Sequence, residues 1–245
     1  MLTIYGLHPV MEALEGSEKD IEKIILTKGR KGGDIQKILR ITSQRGIPVI
    51  FEDREYVDEL AHSKNHQGVI CLFKEFHYTA IDDILSDPDE SVEERLLLIL
   101  DCIEDPQNLG SLIRTGHCFG VKGVIIPEDR TASVTPAVIK ASAGTALHTQ
   151  IARVVNISRT IDHLKKEGFW IYGTDVKDGS DFSSFDYEGP VGLVMGSEKN
   201  GIRPLVKKKC DFLVTIPMAG RIDSLNVSVA AGIMLHEIAR RKMKP

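Results

Sequence analysis

The residue types that could do chemistry in this chain fall in three short polar stretches, each just after an apolar run. Asp105-Pro106-Gln107-Asn108-Leu109-Gly110 follows "LILD" and leads to Arg114. Ser197-Glu198-Lys199-Asn200-Gly201 follows "GLVMG". Arg221-Ile222-Asp223-Ser224-Leu225-Asn226 follows "VTIPMAG". Asparagine offers two donors and an acceptor, arginine a planar fork of donors, and glutamate an acceptor that can take a proton. Open parallel sheets gather their ligands beyond the carboxyl ends of the strands. Three glycine- and amide-bearing loops on that side of one sheet can build a pocket largely from backbone groups.

Each residue also has a plainer reading. Asn108 and Ser224 can cap the helices that follow them. Arg114 can be a surface arginine, Glu198 a turn carboxylate, and Gly196 and Gly201 suppliers of positive φ. Met218 can fill a gap. Asn226 resists this account, because it falls just inside a helical stretch where Leu or Ala would favour the helix more. A polar residue so placed is expected to have a partner.

The spacing Gly196 to Gly201 is G-x-x-x-x-G after a strand, which opens a phosphate-cradling loop. That loop needs Lys and then Ser or Thr, and Ile202 and Arg203 stand there instead. A nucleotide-hydrolysing reading therefore lacks its key residues. No G-x-G-x-x-G opens a strand–helix unit, and there is no G-x-S-x-G and no H-E-x-x-H. The cysteines Cys71, Cys102, Cys118 and Cys210 form no C-x-x-C and no zinc spacing. No metal is expected, and since three of the thiols sit beside apolar runs, buried free thiols are expected, as suits a reducing cytoplasm.

The elements that must position these loops can be read from periodicity. Up to about Phe73, "IEKIILT", "IPVIF" and "QGVICLF" read as strands, and "DIQKILRITSQRG" and "REYVDELAHS" as helices. "LSDPDESVEE" is acidic and has no apolar period. Beyond it, "RLLLILD", "GVIIP", "FWIYGTD", "GLVMG" and "FLVTIP" are nearly continuous apolar runs. They alternate with helical stretches, "NLGSLIRTGHCFG", "TPAVIKASAGTALH", "ISRTIDHLKKEG" and "SLNVSVAAGIMLHEIARRK". Strands buried on both faces and alternating with helices predict an α/β fold with a parallel sheet. The expected division is a small α/β domain over 1–74, an acidic linker over 75–94 and a larger α/β domain over 95–245.

The chain has 245 residues, 42% hydrophobic and 27% charged, with a net charge of −4. No apolar run approaches the ~20 residues of a membrane span, and the start has no basic signal-like region. Charge is uneven. Between Lys19 and Arg45 eight basic residues meet only three acids, whereas Asp82 to Glu94 is an acidic run. A solvated face explains either cluster; the basic one is also a candidate footprint for a nucleic-acid backbone.

Taken in order, "DPQNLGSLIRT", "LVMGSEKNGI" and "IPMAGRIDSLNVSVAAGIMLHE" resemble the three signature motifs of the SpoU/TrmH family, RNA ribose 2′-O-methyltransferases of the SPOUT class. The resemblance runs from about Leu96 to Arg241. The stretches "YGLHPVMEAL", "KIILTKG", "GIPVIF" and "HQGVIC" are similar to the substrate-binding domain of members acting on large-subunit ribosomal RNA, a domain like a kink-turn-binding ribosomal protein. The resemblance implies a SPOUT domain with a deep trefoil knot, S-adenosylmethionine as cofactor, a cytoplasmic homodimer and no metal. It implies catalytic roles for Asn108, Arg114, Glu198, Ser224 and Asn226. Thr174, Val194, Gly196, Ile216, Met218, Ser224, Leu225 and Asn226 are the implied cofactor contacts. Arg30, Lys31 and Lys37 are the expected RNA contacts, with a guanosine of large-subunit (23S) rRNA as target. A transfer-RNA ribose methyltransferase and a non-catalytic RNA-binding protein are the alternatives.

In the implied reaction a weak nucleophile, the 2′-hydroxyl, must be held in line and lose its proton. Arginine, with a pKa above ~12, is a poor base. Arg114 fits better as a grip on phosphate and on developing alkoxide charge. One departure stands out: many relatives continue the first motif as Arg-Thr-Ala, and here Gly116-His117 follows Thr115.

Overall fold

The computed structural model of the chain describes residues 1–16, 20–86, 95–197, 199–220 and 224–242. The elements of the first stretch are Leu2–Tyr5 (β1), Leu7–Gly16 (α1), Ile21–Thr27 (β2), Gly33–Arg45 (α2), Val49–Glu52 (β3), Arg54–Ala61 (α3) and Val69–Phe73 (β4). Then come Ile81–Leu85 (α4), Leu96–Asp101 (β5), Pro106–Cys118 (α5), Gly123–Pro127 (β6), Pro136–Ala141 (α6), Ile151–Val154 (β7) and Ile157–Lys166 (α7). The chain continues through Trp170–Thr174 (β8), Ser180–Asp181 (β9), Val191–Gly196 (β10), Pro204–Lys207 (α8), Phe212–Thr215 (β11) and Val227–Lys242 (α9).

These elements form two compact units, Met1–His77 with Ser133–His148, and Tyr78–Ala132 with the remainder from Thr149. The first holds a mixed four-stranded sheet, β1-β4-β2-β3, in which only β2 and β3 run parallel. β4, Val69-Ile70-Cys71-Leu72-Phe73, is buried along its whole length, as a central strand covered on both faces must be. The segment Ser133–His148 belongs to this unit, which the sequence boundaries at 74 and 95 do not anticipate. Helix α6 packs on β1, and the 3-10 turn Thr145–Leu147 packs on α1. The Lys140 amine sits 4.3 Å over the Tyr5 ring and donates to the Asn65 carbonyl at 2.9 Å, with burial lowering its pKa. Gly144 has φ +95, and a Cβ there would come within 2.6 Å of Glu12 Cβ. The helix expected over "TPAVIKASAGTALH" breaks at this point, after Ala141, because Ala143 and Gly144 both adopt positive φ.

The second unit holds a seven-stranded sheet of order β7-β6-β5-β10-β8-β11-β9. Every pairing in it is parallel, as the continuous apolar runs predict. The chain steps outward from β5 through β6 to β7, then returns to fill the other side. β5 and β10 therefore flank the switch point at which such sheets open a crevice. All six residues of β5 and all six of β10 are buried.

Residues 75–94 were expected to be a spacer. Over 79–85 they are part of this unit: the Thr79 amide donates to the Ile151 carbonyl at 2.9 Å, and α4 buries Ile84 and Leu85 in the core with Ile125, Ile157 and Ile161. Residues 87–94 lie outside the described residues.

Among the cysteines, Cys71 is buried and meets the expectation, Cys102 and Cys210 are only half-buried, and the expectation fails outright at the exposed Cys118. It closes α5 on its solvent side. Gly116, in the same helix, has room beside it. A Cβ there would lie 3.4 Å from Val121 and 3.5 Å from Leu98, ordinary to slightly tight contact. Since Gly costs up to about 1 kcal/mol relative to Ala inside a helix, Gly116→Ala should raise the melting temperature by about 2–4 °C in a chain of this size. A fall in melting temperature would show instead that Val121 and Leu98 cannot yield.

Candidate active site

A cleft of about 500 Å³ opens at the carboxyl ends of β8, β10 and β11. That size suits a small organic ligand. Of the expected cofactor contacts, Thr174, Gly196, Ile216, Met218, Ser224 and Leu225 line it. Val194 does not: it is fully buried in the apolar core with Ile99 and Ile171, because alternate residues of β10 face opposite sides of the sheet. Asn226 is adjacent in sequence to the lining but is not part of it. The wall combines Met195, Ile216, Met218 and Leu225 with the polar groups of Thr174, Ser197 and Ser224.

The loop after β10 closes on itself. The Ser197 amide donates to the Gly201 carbonyl at 3.2 Å and the Gly201 amide to the Ser197 carbonyl at 2.8 Å, while the Asn200 amide donates to Ser197 Oγ. These amides are engaged within the loop and are not splayed around an anion. Gly196 is required by this closure: a Cβ there would fall 2.1 Å from the Gly201 carbonyl carbon and 2.2 Å from the Ile202 nitrogen. Gly201 supplies the turn with φ +63. Glu198, the candidate carboxylate of this loop, lies outside the described residues.

The two asparagines exchange the roles that the sequence suggests. α5 is capped by Asp105, whose carboxylate accepts the Gln107 amide at 3.0 Å with Pro106 next to it, and Asn108 lies within the first turn. Asn226 is not inside α9 but caps it: its Oδ1 accepts the Ser228 amide at 3.0 Å and the Val229 amide at 3.4 Å. Ser224 is therefore not the cap. The other end of the Asn226 amide, Nδ2, donates to Asn108 Oδ1 at 2.9 Å, joining the first and third polar stretches across 118 residues. Helices α5 and α9 pack together beneath this bond. Arg114 is exposed on α5, away from the cleft lining, and makes no ion pair among the described residues.

Two pairings were not foreseen. Asp101 ends β5 with no solvent exposure and accepts from the Arg203 amide and Nε, both at 2.8 Å, with Nη2 at 2.6 Å. The hydrogen bond to Asp101 raises the Arg203 pKa. A buried carboxylate needs such a partner, and this one fixes where the chain leaves the Gly196–Gly201 loop. The charged end of "LLLILD", an otherwise wholly apolar strand, was the available signal. At the cleft rim, Lys207 lies 2.6 Å from Asp175 and 2.7 Å from Asp178, holding the loop after β8 against α8. No group of side chains among the described residues has a metal-binding arrangement.

The model of the SpoU rRNA Methylase family matches residues 95–236, and that of the RNA 2′-O ribose methyltransferase substrate-binding domain matches residues 3–79. The chain belongs to the SpoU family of RNA 2′-O-ribose methyltransferases. It is 40% identical over 243 residues to the 23S rRNA (guanosine-2′-O-)-methyltransferase RlmB of Coxiella burnetii, covering 99% of this chain and 97% of that protein. To the putative TrmH family tRNA/rRNA methyltransferase YacO of Bacillus subtilis it is 38% identical over 239 residues, covering 98% and 95%. An AdoMet-bound rRNA methyltransferase structure from Sinorhizobium meliloti aligns over 100% of this chain and 88% of its own, with a TM-score of 0.80 and 27% identity.

Proposed function

We propose that this enzyme transfers a methyl group from S-adenosylmethionine to the 2′-hydroxyl of a guanosine ribose in large-subunit rRNA. The observation that carries the reading is the meeting of all three polar stretches at one end of one sheet. The second and third line the cleft, and the first is joined to the third through Asn108 and Asn226. The residues present suit the cofactor. S-adenosylmethionine has no phosphate, and the Ser197, Asn200 and Gly201 amides of the loop after β10 are spent on its own closure. Thr174, Ile216, Met218, Ser224 and Leu225 would hold it, with the apolar members against the adenosyl group and the hydroxyls near its polar edges. When bound it supplies an electrophilic methyl group on a cationic sulfur.

The chain's own residues do the rest. Arg114, exposed and without an ion pair among the described residues, grips an RNA phosphate and stabilises negative charge developing on the 2′ oxygen. Asn108 and Asn226 fix the two stretches in one geometry, and Ser224 presents a hydroxyl to the cleft. Glu198 orients Arg114 or receives the proton. The reading also carries the deep knot, a cytoplasmic setting in which four free thiols stay reduced, and a homodimer. An apolar face supports the dimer: Phe119, Phe182, Val229 and Ile233 lie together, with Val229 51% and Ile233 38% exposed. No described helix is long and apolar enough to cross a membrane.

The test is methyl transfer from labelled S-adenosylmethionine to in vitro transcripts of large-subunit rRNA and of transfer RNA, followed by mapping of 2′-O-methyl sites. Incorporation at one rRNA guanosine is expected. Incorporation into transfer RNA alone would move the target, and RNA binding without incorporation into either would leave a non-catalytic binder.

A further inference from the structure

In the first unit a cavity of about 170 Å³ is lined by Thr27, Arg30, Arg54, Lys64, His66, Gln67 and Gly68. Its cations come from three separate places: the turn after β2, the first residue of α3 and the loop before β4. None of Arg30, Arg54 and Lys64 has an ion pair among the described residues. Lys28 and Lys37, of the same basic sequence cluster as Arg30, are instead held by Asp53 at 3.1 Å and Glu15 at 3.0 Å. Among the described residues, no acid lines the cavity. Three like charges gathered with no carboxylate among the lining residues repel one another. Arg54 adds to the cost, since it opens α3 at the end where a helix favours anions and disfavours cations.

The walls are built rigidly. The Thr27 amide donates to the Gly68 carbonyl at 3.0 Å and the Arg30 amide to the Thr27 carbonyl at 3.1 Å. The Arg30 stem packs so closely on Gly68 that a Cβ there would meet it at 3.3 Å. His66, 2% exposed, accepts the Gly68 amide on Nδ1 at 3.0 Å, so its Nε2 carries the proton that it donates to Asp58 at 2.6 Å. Gln67 holds a left-handed φ of 56 and accepts the Leu7 amide on Oε1 at 2.9 Å. An independent sign lies in the wall: Thr27 Oγ1 is buried and has no hydrogen-bond partner among the described residues. A buried hydroxyl without a partner is uncommon and asks for one.

The geometry points to an anion subsite here that takes a phosphate of the RNA backbone. Arg30, Arg54 and Lys64 supply charge-assisted hydrogen bonds, and Thr27 donates its hydroxyl. The inference rests on the RNA methyltransferase reading. It moves the footprint from the sequence cluster of Arg30, Lys31 and Lys37 to a three-dimensional one that keeps Arg30 and adds Arg54 and Lys64.

The experiment uses the full chain and an in vitro large-subunit rRNA transcript. Arg54→Gln, Lys64→Gln, their double variant and Thr27→Val are compared with the wild type and with Lys166→Gln, a single charge removed from the second unit. The slope of log affinity against log salt should flatten by about 0.7–0.9 for each lost phosphate contact, while Lys166→Gln matches the wild type. Thr27→Val should hold or raise the melting temperature and yet weaken RNA binding several-fold, a combination that a purely structural role does not give. If the double variant binds with wild-type affinity and slope while the wild type methylates the transcript, the subsite is overturned and the methyltransferase reading stands. If the wild type neither binds nor methylates the transcript, both fall. Stabilisation by inorganic phosphate that is lost in the double variant, with RNA binding unchanged, would mark a small-anion site and overturn the RNA assignment.

Discussion

Arg114→Ala is expected to lower methyl transfer to RNA by about 10²–10³-fold, the loss typical of removing one group that stabilises developing negative charge. Affinity for S-adenosylmethionine should stay within a few-fold of the wild type, because Arg114 lies outside the lining of the cleft. The guanidinium is exposed on the surface of α5, so its removal should leave the melting temperature nearly unchanged. Single-turnover rates and calorimetric titration of the cofactor separate these effects. Arg114→Lys tests the role further. A lysine keeps the charge but loses the fork of donors, so partial rescue would indicate a charge requirement and no rescue a geometric one. Near-normal transfer by Arg114→Ala would remove Arg114 from the mechanism.

Gly196→Ala is expected to abolish measurable cofactor binding. The new methyl would lie 2.1–2.4 Å from the Gly201 carbonyl carbon and oxygen and the Ile202 nitrogen. These are backbone atoms, and no rotamer change relieves the clash. The Ser197–Gly201 bridge must open, and with it the wall of the cleft. Overpacking of this kind costs about 1–3 kcal/mol and sometimes more. Gly201→Ala is the comparison. Nothing lies within 4 Å of a Cβ at that position, and its cost is the strain of φ +63 alone, about 1–2 kcal/mol. Calorimetric titration and thermal melts of both variants measure the difference. Wild-type cofactor affinity in Gly196→Ala would show that the loop can close another way.

The sheet was legible because parallel strands covered on both faces leave an unbroken apolar run. "IEKIILT" and "GVIIP" coincide with β2 and β7's neighbour β6 to the residue. β7 was missed because its four residues include exposed Arg153, and β9 because it has only two residues. The helix starts were read a few residues out, enough to interchange the roles of Asn108 and Asn226. The Asp-Pro pair at 105–106 did mark the true cap of α5. Gly196, singled out in the sequence, lines the cleft, and its missing side chain also lets its own loop close. Asp101 with Arg203, and Arg30 with Arg54 and Lys64, were out of reach because each set is assembled by folding from residues far apart in the chain.

The membership of Ser133–His148 in the first unit bears on how this protein can be divided. A fragment ending at His77 would leave bare the faces of β1 and α1 on which α6 and the turn at Thr145–Leu147 rest. A fragment starting at Tyr78 would carry that apolar segment, with Val138, Ile139 and Ala146, stripped of its support. The two halves that are consecutive in sequence are thus not interchangeable cassettes. A graft of a new RNA-docking module onto this catalytic part has to bring its own version of residues 133–148, and natural exchange of the module would meet the same barrier.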